Sequence, residues 1–154
     1  MNRKPKAFYP VTGKGLCGPT ALAALTGVCR DRVRTSIATR RGHKHPGAVR
    51  GIYRRELLSA AAELAGVQFQ DVPVAPVNGK QLTVLAWRQL DCVEEMFDRG
   101  WKAITVTRSH FIAMSKSLAL DTSHKNEPHH YLSNPFTRQR ILRVLWLRPR
   151  EETA

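Results

Sequence analysis

Helical and extended patterns occupy different parts of this chain, and that segregation is what most limits its fold. From Cys17 to Arg99 the apolar residues recur mainly at helical spacing, whereas from Trp101 to Leu147 they fall in short alternating or continuous runs. Helices first and strands afterwards predict an α+β domain, with N-terminal helices packed on a C-terminal antiparallel sheet, rather than an alternating α/β fold. At 154 residues the chain has the length of one domain, 1–154, with room for a real core. Its ends read as a basic N-terminal arm over 1–9 and a frayed tail over 148–154.

The first helix is expected to begin at Cys17-Gly18-Pro19-Thr20. Gly18 permits a tight turn, Pro19 suits a first helical turn where its missing N–H costs nothing, and Ala21 to Leu25 are good helix formers. Gly27 stops it. This helix is apolar all round, which predicts burial. A short helix over Val33–Thr39 and an exposed basic loop follow, the loop marked by Gly42, Pro46 and Gly47. A second longer helix is predicted over Ile52–Leu64, with Gly66 beyond its end, then a strand over Val67–Val74 and a turn at Val77-Asn78-Gly79-Lys80. A continuous helix is predicted from Thr83 to Arg99, with Cys92 inside it as an inert core thiol.

The last third reads as strands: Trp101–Thr107, a hairpin of His110–Met114 and Leu118–Asp121 around Ser115-Lys116-Ser117, and a closing strand over Ile141–Leu147. A polar loop spans Asn126–Phe136. If Ser115 and Lys116 tip the hairpin, Met114 faces Ser117 and His110 faces Asp121, a distance across which a carboxylate can orient an imidazole.

Three cysteines, Cys17, Cys29 and Cys92, are too few and too unevenly spaced for a disulfide scaffold or a structural zinc site. One of them is then a candidate for chemistry. A reactive thiol must be held as thiolate, which a helix N-terminus favours through its unpaired N–H groups and dipole. Cys17 stands at such a start, behind the approach Thr12-Gly13-Lys14-Gly15-Leu16, while neither Cys29 nor Cys92 shows comparable surroundings in the sequence. Gly13, Gly15 and Gly18 leave room for a substrate. The partner base is His110, at the head of the apolar run Phe111-Ile112-Ala113-Met114.

Cys17-Gly18-Pro19-Thr20-Ala21-Leu22, followed by Ser109-His110-Phe111-Ile112-Ala113-Met114 and then Leu120-Asp121-Thr122, resembles the papain-like cysteine peptidases. It is most similar to the bacterial and phage branch that includes the double-glycine leader peptidases. The likeness spans roughly residues 10 to 147 in element order and rests on two short motifs. It implies a papain-like fold and a thiol hydrolase, whether peptidase, amidase or transferase. Cys17 would be the nucleophile, His110 the base and Asp121 the residue that orients it, with a peptide or protein as substrate and no cofactor. One departure stands out. The family carries a Gln about six residues before the nucleophile as an oxyanion donor, and here Val11 and Thr12 occupy that region with no Gln anywhere before Cys17. The Cys17 backbone N–H and Lys14 are the alternative donors, and loss of one such donor costs about 10²–10³ in rate.

The chain carries a formal charge of +13 and a pI near 10.5. That balance attracts polyanions, although solubility alone also accounts for it in small basic proteins. Arg30, Arg32, Arg34, Arg40, Arg41, Lys44, Arg50, Arg54 and Arg55, with Arg138, Arg140, Arg143, Arg148 and Arg150 near the C-terminus, form the candidate polyanion-binding set. They support a rival reading: a catalytically silent papain-like domain, a phage or bacterial accessory protein that binds nucleic acid or an acidic host protein. Such nucleic-acid binding would be nonspecific, since no zinc-finger spacing or ribonucleoprotein aromatic motif occurs. His124, His129 and His130, near Asp121 and Glu127, match no familiar metal-ligand pattern, and no metal is expected. No apolar run approaches the roughly 20 residues that span a bilayer. The expected location is the cytoplasm of a bacterial or infected bacterial cell, or a virion.

Overall fold

The computed structural model describes residues 7–12 and 15–150. The remaining stretches of the expected arm and tail, 1–6 and 151–154, and two of the site candidates, Gly13 and Lys14, lie outside the described residues. The fold is α+β. Helices α1 (Cys17–Thr26), α2 (Arg30–Arg41) and α3 (Arg54–Ala65) come first. Strand β1 (Gln70–Pro73), helices α4 (Val84–Arg88) and α5 (Asp91–Asp98), and strands β2 (Lys102–Thr107), β3 (Phe111–Met114), β4 (Leu118–Leu120), β5 (His129–His130) and β6 (Ile141–Leu147) follow. The six strands form one sheet in the order β1-β6-β2-β3-β4-β5, and every neighbouring pair is antiparallel. Among the described residues no helix is long and apolar enough to cross a membrane.

Local signals explain most of the elements. Pro19 lies in the first turn of α1, and Gly27 ends that helix in the left-handed conformation (φ 77°) with its N–H donated to the Ala23 carbonyl at 2.8 Å. The β1 strand is shorter than Val67–Val74, and α2 is longer at both ends than Val33–Thr39.

The sheet is covered on both faces, which gives the domain three layers. Alternate residues of the central strands enter two separate cores. Ile104, Val106, Phe111, Ala113, Leu120 and Leu145 pack with α1, α2 and α3. Ala103, Ile112, Met114, Ala119, Val144 and Trp146 pack with α4 and α5. A strand buried on both faces has no polar side to display, so Phe111 to Met114 is continuously apolar and wholly buried.

The second core corrects the expectation of one helix over Thr83–Arg99. The chain breaks at Gln89 and Leu90, and Leu90 is extended (φ −68°, ψ 138°). A straight helix would separate Trp87 and Phe97 by about 15 Å along its axis. Their ring centroids are instead 6.1 Å apart, edge to face, and both rings meet Trp146. The break folds α5 back so that three aromatics share one cluster. It also turns Cys92 outward: this thiol is exposed and is not a core residue.

Both ends of the described chain are packed more firmly than expected. Phe8 is buried in the first core, and Tyr9 donates its N–H to the Ala24 carbonyl at 2.8 Å. Arg148 lies over the Trp101 ring at 5.6 Å, and Pro149 packs against Gly100. Residues 7–9 and 148–149 thus belong to the domain rather than to an arm or a frayed tail.

Candidate active site

Cys17 is the first residue of α1, and its half-buried side chain packs against the first core. All three cysteines prove to stand at helix N-termini, since Cys29 precedes α2 and Cys92 is the second residue of α5. A helix start therefore does not single out Cys17, contrary to the contrast drawn from sequence. Its neighbours do. The His110 ring and the backbone N–H groups of Phe111 and Gly18 stand close enough to the thiol to act on its charge. Burial pushes the thiol pKa up, but the imidazole hydrogen bond and charge, with the two N–H groups, outweigh burial and hold it below its ordinary value.

His110 is fixed from both backbone and ring. It follows the two-residue turn Arg108-Ser109 that joins β2 to β3. Thr107 donates its N–H to the His110 carbonyl at 3.0 Å, and its hydroxyl oxygen accepts the His110 N–H at 3.1 Å. The Thr107 hydroxyl is itself anchored on the Gln139 side-chain carbonyl at 2.6 Å. On the ring, Nε2 lies 2.9 Å from Asp121 Oδ2, which leaves Nδ1 for the Cys17 thiol. Phe136 stacks on one ring face with centroids 3.8 Å apart.

Asp121 is fully buried and fully satisfied. Oδ1 accepts the N–H of Ser123 at 2.9 Å and the hydroxyl of Ser123, while Oδ2 accepts from His110 and from Asn134 Nδ2 at 3.0 Å. Burial pushes its pKa up, but these donors bring it down to about 2. Burial likewise pushes His110 down, and its hydrogen bonds and charge contacts with Asp121 and Cys17 carry it up to about 9. Near neutral pH His110 is therefore an imidazolium beside an ionised Asp121 carboxylate, and its charge shifts Cys17 toward the thiolate.

The hairpin register departs from the expectation in a way that preserves the pair. Ala113 lies opposite Leu120 and Met114 opposite Ala119, so Lys116 and Ser117 tip the turn. His110 and Asp121 become diagonal neighbours rather than direct ones. A shift of two residues keeps both on the same face, whereas a shift of one would have placed them on opposite faces.

A cleft of about 610 Å³ opens over this group. It is lined by residues 16–18 at the start of α1, by residues 50–54 with Arg41, and by residues 106–111. Gly18 lines the cleft as expected, but it is helical, and a Cβ there would meet Phe111 at an ordinary 3.5 Å. Gly15 is outside the lining and lies against the Arg30 guanidinium. Among the described residues, no Asn or Gln lines the cleft as an oxyanion donor, and no group of three or more His, Cys, Asp or Glu is placed to hold a metal ion.

The basic stretch does not form one free surface. Arg30 is buried and is corrected out of it: the guanidinium is bonded to Thr20 Oγ1 at 3.1 Å and to the Thr12 carbonyl. Arg34 donates to the Val49 carbonyl at 3.0 Å, Arg40 pairs with Glu63 at 2.6 Å, and Arg41 pairs with Glu56 at 2.5 Å. Arg54 and Arg143 share Asp71. Arg32, Lys44, Arg50 and Arg55 are exposed and form no ion pair among the described residues.

Sequence reasoning missed Asn134, Ser123, Thr107 and Phe136. Asn134 carried a usable signal, standing directly before Pro135 as the cap of a 3-10 turn (Pro135–Arg138), where its Oδ1 accepts the Phe136 N–H at 2.8 Å. No protein-family model and no curated protein sequence matches the chain.

Proposed function

We propose that this chain is a papain-like thiol hydrolase, a cysteine peptidase or a related amidase or transferase. The observation that carries this reading is the His110 ring, hydrogen-bonded at 2.9 Å to the buried Asp121 carboxylate and sharing its cleft with the Cys17 thiol. Cys29 and Cys92 share the helix N-terminus but not the imidazole, and a catalytic thiol needs both.

In this reading the Cys17 thiolate attacks the carbonyl carbon of an amide held in the cleft. The oxygen takes up the negative charge and is met by backbone N–H groups at the start of α1, Cys17 among them. The His110 imidazolium gives its proton to the leaving amine, the C–N bond breaks, and a thioester remains on Cys17. The neutral imidazole then takes a proton from water, or from an acceptor amine, as that nucleophile attacks the thioester and releases the thiol. Asp121 stays ionised throughout, orienting the ring and balancing its charge.

The test is the rate of Cys17 alkylation by iodoacetamide from about pH 4 to 9 in wild type and His110→Ala. The expected result is a thiolate that persists well below the free-cysteine value of about 8.5 and is lost in the variant. A Cys17 that titrates near that value in both proteins would overturn the enzyme reading.

A further inference from the structure

The lining of the cleft contains four arginines, Arg41, Arg50, Arg54 and Arg108, and no carboxylate. Their surroundings divide them into two kinds. Arg41 is clamped by Glu56, and it also donates to the Gly51 carbonyl at 2.6 Å. Arg54 shares the single carboxylate of Asp71 with Arg143, so one positive charge in that trio is left unbalanced. Arg50 and Arg108 are exposed and have neither an ion-pair nor a hydrogen-bond partner among the described residues. The His110 imidazolium and the Asp121 carboxylate balance each other, and Cys17 adds a negative charge when it ionises. Three unbalanced positive charges belong to arginines of the same lining.

The two unpartnered arginines come from different stretches of the chain that line the same cleft as Cys17. Arg50 stands beside residues 51–54, and Arg108 lies in the β2–β3 turn two residues before His110. A guanidinium with all its donors free is a bidentate receptor for a carboxylate. We propose that the site takes acidic peptides, with Asp or Glu side chains flanking the attacked amide and paired to Arg50 and Arg108. This inference rests on the thiol-hydrolase reading and deepens it. The cleft favours a peptide over a nucleic acid on two grounds. Its one exposed aromatic, Tyr53, does not supply the succession of stacking faces that single strands use. The Cys17 thiolate is a nucleophile for acyl carbon, which a phosphodiester lacks.

The experiment compares Cys17 alkylation by anionic iodoacetate and neutral iodoacetamide, in wild type and in the double variant Arg50→Gln, Arg108→Gln. Free cysteine is the reference. A cationic cleft concentrates the anion, so the iodoacetate-to-iodoacetamide rate ratio at low salt should exceed that of free cysteine by about tenfold. That excess should shrink as salt is added and vanish in the double variant. A second arm measures protection of Cys17 from iodoacetamide by a Gly-Glu peptide, its Gly-Lys counterpart and a thymidine oligonucleotide. Selective protection by the Gly-Glu peptide is the expected result. A wild-type ratio equal to that of free cysteine, or protection by the oligonucleotide alone, overturns the acidic-peptide assignment while leaving the thiolate intact. Failure of iodoacetamide to label Cys17 below pH 7 overturns the hydrolase reading itself, and this inference with it.

Discussion

His110 Nε2 lies 2.9 Å from Asp121 Oδ2 although the two residues are diagonal, not opposite, across the β3–β4 hairpin. The carboxylate is fixed at both oxygens: Ser123 holds Oδ1, and Asn134 donates to the same Oδ2 that meets the ring. The pair also joins the two halves of the domain. Cys17 packs against the α1–α3 core and Phe136 against the α4–α5 core, with the imidazole between them.

Asp121→Asn should leave the fold but remove the charge that keeps His110 protonated. The His110 pKa should fall from about 9 toward its ordinary 6.5, and the Cys17 pKa should rise as the imidazolium charge beside it is lost. Ring-proton titration by NMR and iodoacetamide kinetics on the same sample check both. An unchanged His110 titration would show that Asp121 does not govern the ring.

Stability should depend on pH through the same two groups. The raised His110 pKa contributes stability that is full below 6.5 and is lost as pH rises toward about 9. The lowered Asp121 pKa contributes stability that is full above 3.8 and is lost as pH falls toward about 2. Thermal melts should therefore show a plateau between these limits. The alkaline decline should be shallower in His110→Gln.

Asn134→Ala removes a donor to Asp121 and the cap on the Phe136 N–H. A cost of about 1–3 kcal/mol is expected from the unpaired buried carboxylate lone pair. The Asp121 pKa should rise, so the acid decline of stability should begin at higher pH than in wild type. Urea unfolding at pH 3 and pH 6 measures the difference.

Amide hydrolysis and alkylation should diverge on the alkaline side. Alkylation needs only the thiolate and should stay high above pH 9. Hydrolysis also needs the imidazolium to protonate the leaving amine, and should fall as His110 loses its proton near 9. Parallel profiles for the two reactions would remove His110 from the role of acid.

Trp87→Ala should cost about 3–5 kcal/mol, because the ring is buried against Phe97 and Trp146. The Cys17 alkylation profile of the folded protein should nevertheless keep its shape, since Cys17 packs in the other layer. Calorimetry and alkylation on the same preparation separate the two effects.

What was legible in the sequence is what short segments decide. The α1 start at Cys17, the Gly27 stop, the β2 and β6 strands and the His110–Met114 run all depend on local propensity and burial period. The break at Gln89 was not legible as read, though Asp91 and Glu94 in the first turn of α5 mark a helix start. It accompanies a contact that no local window holds, since Trp87 and Phe97 both meet Trp146, about 60 residues beyond the break.

The sequence by itself determined that a cysteine would open a buried helix and that a histidine would head a strand buried on both faces. Only the tertiary structure decided which of three cysteines at helix N-termini meets an imidazole, and which arginines line the cleft unpaired. Backbone propensity acts over a few residues, whereas ion pairs such as Arg54–Asp71 and hydrogen bonds such as Asn134–Asp121 join residues more than ten positions apart. Those contacts come into being only when the layers pack, and among them the contacts of His110 with Cys17 and Asp121 shift the charge states of all three residues.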